Sequence, residues 1–425
     1  MTPDRPLLED AAGIAPLDAD DIADFLAARP DQAWYDLHTA DTTHRGYAPR
    51  LDEAARDRRR LAYLTPDGDR ESVSLESITA VVPTDPAATP PLPARVDHDP
   101  ATVAVAEVLA GIDAGGSTRQ TAVDALTTLA TARPEDCRPA IPVLEAALAA
   151  DTLTDPAPAL RVLAILADAD PMDVAPVTDT VTPYLHASEP ATTRAATRCV
   201  AEVAAEDPGT VCETVPTLAD SLAHDDPGSR WAAWALSTIA ADEPDAVAPV
   251  ADVLHTVVTD DDRGENVLVH AVAALGRVAS DTPEAALPVV DRLAGFLEAD
   301  HHKLRSNAVA ALGEVAAHHA DVVAPHVTAI AAHLDTDDEY GRVNATWTLA
   351  RVARDHPAAL GPVLEQVRSG LEDDVAQVRA NTCYALGACG DGTVADRLAT
   401  LQGRDPDESV RRAAQIAHNQ LVDGP

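Results

Sequence analysis

Lysine is nearly missing from this chain of 425 residues: Lys303 stands alone, and every other basic residue is an arginine. Aromatics are scarce too, at 3%, with Phe25 and Phe296 the only phenylalanines. Positive charge is outnumbered, 31 basic residues against 70 acidic, for a formal net charge of -39 and a pI near 4.4. Phosphate contacts need clusters of Lys and Arg, so a nucleic-acid binder working through a basic groove is excluded. No stretch approaches ~18 uncharged apolar residues, which excludes a transmembrane helix. The opening MTPDRPLLEDAAG has neither a basic start nor an apolar core, so no signal peptide is expected. The five cysteines, Cys137, Cys199, Cys212, Cys383 and Cys389, are few and scattered. Buried thiols in a reducing, cytoplasmic compartment are expected rather than a disulfide framework.

Catalytic signatures are missing as well. There is no G-x-x-x-x-G-K-[ST] loop, no G-x-G-x-x-G after a strand and no G-x-S-x-G elbow. Without a C-x-x-C pair, no closed zinc site is expected. What is present is 46% apolar residues at regular spacing, which argues for a folded chain despite the acid. The acid is spread over the whole length. Self-repulsion at this charge is screened by concentrated salt, so the surface resembles that of haloarchaeal-type acidic proteins. The alternative is attraction of one cationic partner.

The chain repeats itself. LRSNAVAALGEVA (304–316), GRVNATWTLARVA (341–353) and VRANTCYALGACG (378–390) align without gaps at a spacing of 37. The central apolar slot runs Leu126, Leu163, Val200, Leu236, Leu275, Leu312, Leu349, Leu386, in steps of 36 to 39. Three residues on, a second apolar column runs from Leu129 to Cys389. Pro134, Pro171, Pro208, Pro244, Pro283 and Pro357 form one proline column, and Pro139, Pro176, Pro249, Pro288, Pro325 and Pro362 another. Ala308, Ala311, Leu312 and Val315 have the i, i+3, i+4, i+7 spacing of a helix's core face. The first proline is expected to end this helix and the second to start another. Neither stripe can be buried within one unit; stacked units make one core.

Residues 117–421 resemble the HEAT-repeat family, including its bilin-lyase-like variants, with about eight units and a terminal half. The resemblance implies an all-α, right-handed α–α superhelix. It also implies a turn Asp and an Arg five residues later, matched here by Asp300 and Arg305, Asp337 and Arg342, Asp374 and Arg379. An Asp–Arg ladder is expected in the C-terminal half only, because earlier units depart from the pattern. Asn307, Asn344 and Asn381 form a parallel column, read as capping and inter-repeat hydrogen bonding. Some HEAT-like proteins are di-iron hydroxylases with His-Glu pairs; no His-Glu dipeptide occurs here. His301/His302 and His318/His319 lie roughly 24 Å apart along a helix and cannot share an ion. His319 and His356 share a slot in adjacent units, and exposed turn histidines are the expectation.

The N-terminal part differs, and a small α+β module over 1–84 is expected. Residues 18–29 look helical, with Ile22, Phe25 and Leu26 on one face. Residues 59–75 read as a hairpin around a PDGD turn, with Leu61, Tyr63, Val73 and Leu75 alternating, and 77–82 as a strand. Six prolines in 82–100 suggest a stiff extended linker, placed at 85–98, before a solenoid over 99–425 that opens with a capping helix near 101–112.

Two columns are candidate partner-binding surfaces. The slot holding Asp124, Arg161 and Arg198 in early units holds Trp234, Ala273, Ala310, Trp347 and Tyr384 later. It lies roughly opposite the core stripe. Trp234, Trp347 and Tyr384 then form either an exposed interface or rings lying flat over neighbouring helices. The second column, Asp179, Asp252, Asp291 and Glu365, is interrupted by Thr328. It sits on the second helices, which line the concave side in HEAT-like solenoids, and reads as a groove for a basic segment or as halophilic decoration. The expected function is a non-catalytic protein–protein interaction scaffold or adaptor, without cofactor or metal and without nucleic-acid or membrane binding. The alternative is an enzyme accessory or lyase-like cofactor clamp.

Overall fold

The computed structural model describes residues 34–51, 60–84 and 89–423. The helix expected at 18–29 lies outside them. The chain divides into two compact units, Met1–Thr180 and Val181–Pro425.

The described residues of the first unit begin with five antiparallel strands: β1 (Trp34–Thr39), β2 (Thr43–Leu51), β3 (Arg60–Leu64), β4 (Arg70–Ser74) and β5 (Ile78–Thr84), in the order β4-β3-β2-β1-β5. The expected hairpin is β3–β4, with Leu61 opposite Val73. Gly68 takes φ +90 in its turn, where a side chain would be strained. Leu61, Tyr63, Val73 and Leu75 are buried in one cluster with Tyr35, Leu37, Ile78 and Val81. Strands β1 and β2 went unread in the sequence. Gly46 and Pro49 interrupt β2, yet Gly46 leaves the space that the Tyr63 ring occupies, since a Cβ there would lie 2.6 Å from it.

The expected extended linker is partly a helix. Helix α1 (Leu92–His98) carries proline in its first turn, where the ring costs no hydrogen bond. Its Ala94 packs against Trp34, Tyr47 and Leu64, and His98 Nε2 lies 2.8 Å from the Ala48 carbonyl oxygen. Helix α2 (Val105–Ala114) begins four residues later than expected, after a turn closed by Thr102 N–H to the Asp99 carbonyl. Helices α3 (Gly116–Ala132) and α4 (Ala157–Ala169) are the first helices of two repeats, with Leu126, Leu129 and Leu163 buried.

The second unit contains six first helices: α5 (Pro190–Ala204), α6 (Ser229–Asp242), α7 (Glu265–Asp281), α8 (His302–Ala316), α9 (Glu339–Asp355) and α10 (Ala376–Ala388), closed by α11 (Glu408–Asp423). Each packs against the next. Both apolar columns are core: Leu236, Leu275, Leu312, Leu349 and Leu386 are 0% exposed, as are Ile239, Val278, Val315 and Val352. Cys389 departs from its column; it is half-buried just past the end of α10. At about 25 cal/mol per Å² of apolar surface, each such leucine contributes about 2 kcal/mol.

The prolines act differently from the sequence reading. The first helix ends two residues before the first-column proline, except at Pro208, where it ends four residues before. The residue between is held outside the helical region, as Glu243 (φ -128), Thr282 (φ -128) and His356 (φ -131) show. His319 before Ala320 adopts φ -131 without a proline, so packing also sets this bend. The second segment starts at once: Pro244–Val247 is a helical turn, Ala248–Val250 a tighter one holding Pro249, and Ala251–Thr259 the helix proper. Second-column prolines therefore lie inside the second segment, in tight turns that tolerate them, not at its start.

Candidate functional site

The Asn column is an inter-repeat ladder. Asn307 donates to the Val269 carbonyl (2.9 Å), Asn344 to Ser306 (3.2 Å) and Asn381 to Val343 (3.3 Å). The arginines form a second ladder, and their acids come from the following turn. Arg342 grips Asp373 at 2.8 Å and Asp374 at 3.0 Å, and Arg379 forks onto Asp405 at 2.9 Å through both nitrogens. Each also donates back to its own turn, Arg305 to the Asp300 carbonyl, Arg342 to Thr336 and Arg379 to Asp374. Asp374 does both, offering its carbonyl to Arg379 and its carboxylate to Arg342 of the preceding unit, whereas Asp300 offers only its carbonyl and Arg342 bonds Thr336 in place of Asp337.

A glycine column went unnoticed in the sequence although it follows the central leucine: Gly276, Gly313 and Gly387. A Cβ at Gly276 would lie 3.2 Å from Ala311 Cβ, and one at Gly387 would lie 2.8 Å from Ala417 Cα. These glycines let the next first helix approach closely. At Gly313 the space is filled by the Trp347 ring.

That contact decides one aromatic position. Trp347 sets its ring edge against Gly313 of the preceding unit, with the Arg351 guanidinium 3.5 Å from its ring centre. Arg351 in turn pairs with Glu314 at 2.9 Å. Trp347 is half-buried, with one part of its ring against Gly313. Tyr384 stands 38% exposed. Trp234 is half-buried and tilts against Trp231 at 5.6 Å, with Arg230 4.3 Å from the Trp231 ring centre.

The acidic column reaches solvent. In the second unit the side chains of Asp252, Asp291 and Glu365 are 103%, 100% and 94% exposed. Each has a basic neighbour: His255 at 3.6 Å, His326 at 3.3 Å and Arg368 at 2.9 Å. Asp179 is exposed on the first unit.

A cleft of about 440 Å³ opens across α6, α7, α8 and α9. Trp234, His270, Arg277, Lys303, Tyr340 and Asn344 are among its lining residues. Burial and the nearby cations Arg277, Lys303 and Arg230 hold His270 below its ordinary pKa. Nothing in the sequence pattern announces this cleft, because its residues come from four repeats.

Burial pushes the thiols of Cys199 and Cys383 up to about 12 and those of Cys137 and Cys389 to about 11. At such values little thiolate, the reactive form, is present at neutral pH. Among the described residues no group of three His, Cys, Asp or Glu could hold a metal ion. His319 sits 3.6 Å from Glu284 of the preceding unit. No helix among the described residues is long and apolar enough to cross a membrane.

Residues 325–418 match the family described as HEAT repeats. The fold of the repeats is HEAT-like. The crystal structure of an engineered protein from the Northeast Structural Genomics Consortium is similar over 76% of this chain and 90% of its own, with a TM-score of 0.67 and 21% identity. A second engineered protein from that consortium aligns with 51% of this chain and 97% of its own at a TM-score of 0.47 and 21% identity. No curated protein matches the chain significantly.

Proposed function

We propose that this chain is a non-catalytic protein–protein interaction scaffold whose second-helix face receives a basic segment of a partner protein. HEAT-like repeats commonly serve as interaction scaffolds. The observation that carries the specific reading is the full exposure of Asp252, Asp291 and Glu365, three carboxylates in one slot of their repeats. A repeating slot presents charge along the stack, with one gap at Thr328, which suits an extended cationic strand. The basic neighbours are single residues, two of them histidines, and leave net acid along the column. Exposed pairs contribute only ~0.2–1 kcal/mol each, so affinity arises from several together. The contacts of Trp347 with Gly313 and Arg351 make the acidic column the better supported of the two surfaces.

The test is anisotropy titration of a fluorescent arginine-rich peptide. Combining Asp252→Asn, Asp291→Asn and Glu365→Gln is expected to weaken binding roughly tenfold. The control combines Glu206→Gln, Asp337→Asn and Glu408→Gln, which removes the same charge elsewhere and is expected to change affinity by less than about twofold. Equal losses in both variants overturn the reading, because they show the peptide responding to overall charge alone.

A further inference from the structure

The cleft across α6 to α9 runs against the charge of the rest of the chain. Of 70 acidic residues in the sequence, Asp338 alone appears among the described residues lining it. The same walls hold the chain's one lysine together with Arg277, His270 and His302. Lys303 is exposed and makes no hydrogen bond or ion pair among the described residues. Several other cations of the second unit pair with acid, Arg263 with Asp225 and Asp260, Arg342 with Asp373 and Arg379 with Asp405, whereas exposed Arg194, Arg404 and Arg412 make no ion pair among the described residues. What sets Lys303 apart is its company: Arg277, His270 and His302 line the same cleft with a single carboxylate among them.

We propose that this cleft binds a small organic polyanion through its carboxylate or phosphate groups. Its volume, about 440 Å³, falls in the range of small-molecule sites. Lys303 supplies a mobile point charge with three donors. Arg277 also lines the cleft; its Nη1 donates to the Ser237 carbonyl, and the guanidinium carries further N–H donors. Arg230, on the same helix as Trp234, adds to the positive field felt at His270. The half-buried Trp234 and the Tyr340 ring, 77% exposed, give apolar walls for the ligand's carbon skeleton. The carboxamides of Asn307 and Asn344 are already engaged with Val269 and Ser306, so they shape the cleft floor and leave the charge to Lys303 and Arg277.

Size follows from the same electrostatics. A net charge of -39 repels an acidic polymer over its whole length. A small anion responds to the field within roughly 10 Å of the cleft, about a Debye length in ordinary buffer. The site lies on the first helices and is independent of the acidic column on the second helices, so one reading can fail without the other.

Isothermal titration calorimetry of the whole chain tests it, with citrate and inorganic pyrophosphate as separate probes. One site per chain is expected for at least one probe. Citrate alone marks a carboxylate site, pyrophosphate alone a phosphate site, and both a site that reads charge. Lys303→Gln is expected to weaken binding about tenfold, the loss of one charge-assisted contact, while Lys303→Arg keeps it within about threefold. Arg404→Gln, on a separate exposed surface, removes the same charge and is expected to leave affinity unchanged. Lack of saturable binding by either anion overturns the proposal. So does a Lys303→Gln affinity equal to that of Arg404→Gln.

Discussion

Asn381 reaches back one repeat: its side-chain amide donates to the Val343 carbonyl at 3.3 Å while its oxygen accepts from Gln377 at 2.9 Å. At 4% exposure it is the most buried rung of the Asn ladder. Asn381→Ala is expected to destabilise the C-terminal repeats by about 1–3 kcal/mol, because Gln377 loses its acceptor and the rung is gone. Asn381→Asp is expected to cost more, since a carboxylate faces a carbonyl it cannot donate to. Urea unfolding followed by circular dichroism measures both. An Asp variant as stable as wild type would show that the rung carries no weight.

The Arg379–Asp405 fork is nearly buried, with side chains 11% and 4% exposed. The Arg379 guanidinium holds Asp405 below the ordinary carboxylate range, and Arg368 does the same for Asp391. Folded values below the unfolded ~3.9 mean that this stabilisation is complete above that pH and is lost as pH falls through the folded values. Arg379→Gln is therefore expected to move acid unfolding of the C-terminal repeats to higher pH. Breaking a buried pair costs about 3–5 kcal/mol. An acid midpoint that stays put in the variant contradicts this account.

Gly387 and Gly276 occupy the same slot but differ in what they meet. At Gly387 the obstacle is the backbone of α11, 2.8 Å from the position of a Cβ, whereas at Gly276 the Ala311 methyl lies at 3.2 Å and its Cα at 3.3 Å, a milder crowding. Gly387→Ala is expected to destabilise by about 1–3 kcal/mol through displacement of the terminal helix. Gly276→Ala is expected to be near neutral, because the gain in helix propensity of up to ~1 kcal/mol offsets the mild crowding. Denaturation midpoints of the two variants rank them, and the reverse order counts against the packing described.

The cysteines differ in access. Cys137, Cys199 and Cys383 are buried, Cys212 and Cys389 half-buried, and the burial that raises the thiols is smallest around Cys212. With a chromogenic thiol reagent at mildly alkaline pH, Cys212 is expected to react first in the native protein. Cys199 and Cys383 are expected to react only on unfolding. Mass mapping of the modified peptides reads the order.

The repeat period was legible because packing demands the same residue at the same place each time. Leu275, Leu312, Leu349 and Leu386 face the same kind of neighbour, so the sequence repeats them. The Asn column was legible for the same reason. The second segments were misread because a proline signals a helix start equally well when it sits in a tight turn within one, as Pro249 does. Strand β2 was hidden by Gly46, whose role depends on Tyr63, a residue on another strand. The surface at Trp347 depended on what lies against the ring edge, and only Gly313 of the preceding unit reveals that. The cleft was the least legible feature. Lys303 and Arg277 follow no period, and their meeting is a product of stacking.

The account stands on the one-unit register between successive first helices, and a paired-cysteine measurement tests it most directly. In a background with the five native cysteines replaced, Gly276→Cys with Ala311→Cys places two Cβ atoms near bonding separation. Mild oxidation is expected to close an intramolecular disulfide in that protein and to leave Gly276→Cys with Thr348→Cys, a further repeat away, open. Closure of the Gly276–Thr348 pair with the Gly276–Ala311 pair remaining reduced would contradict the stacking on which every later step depends.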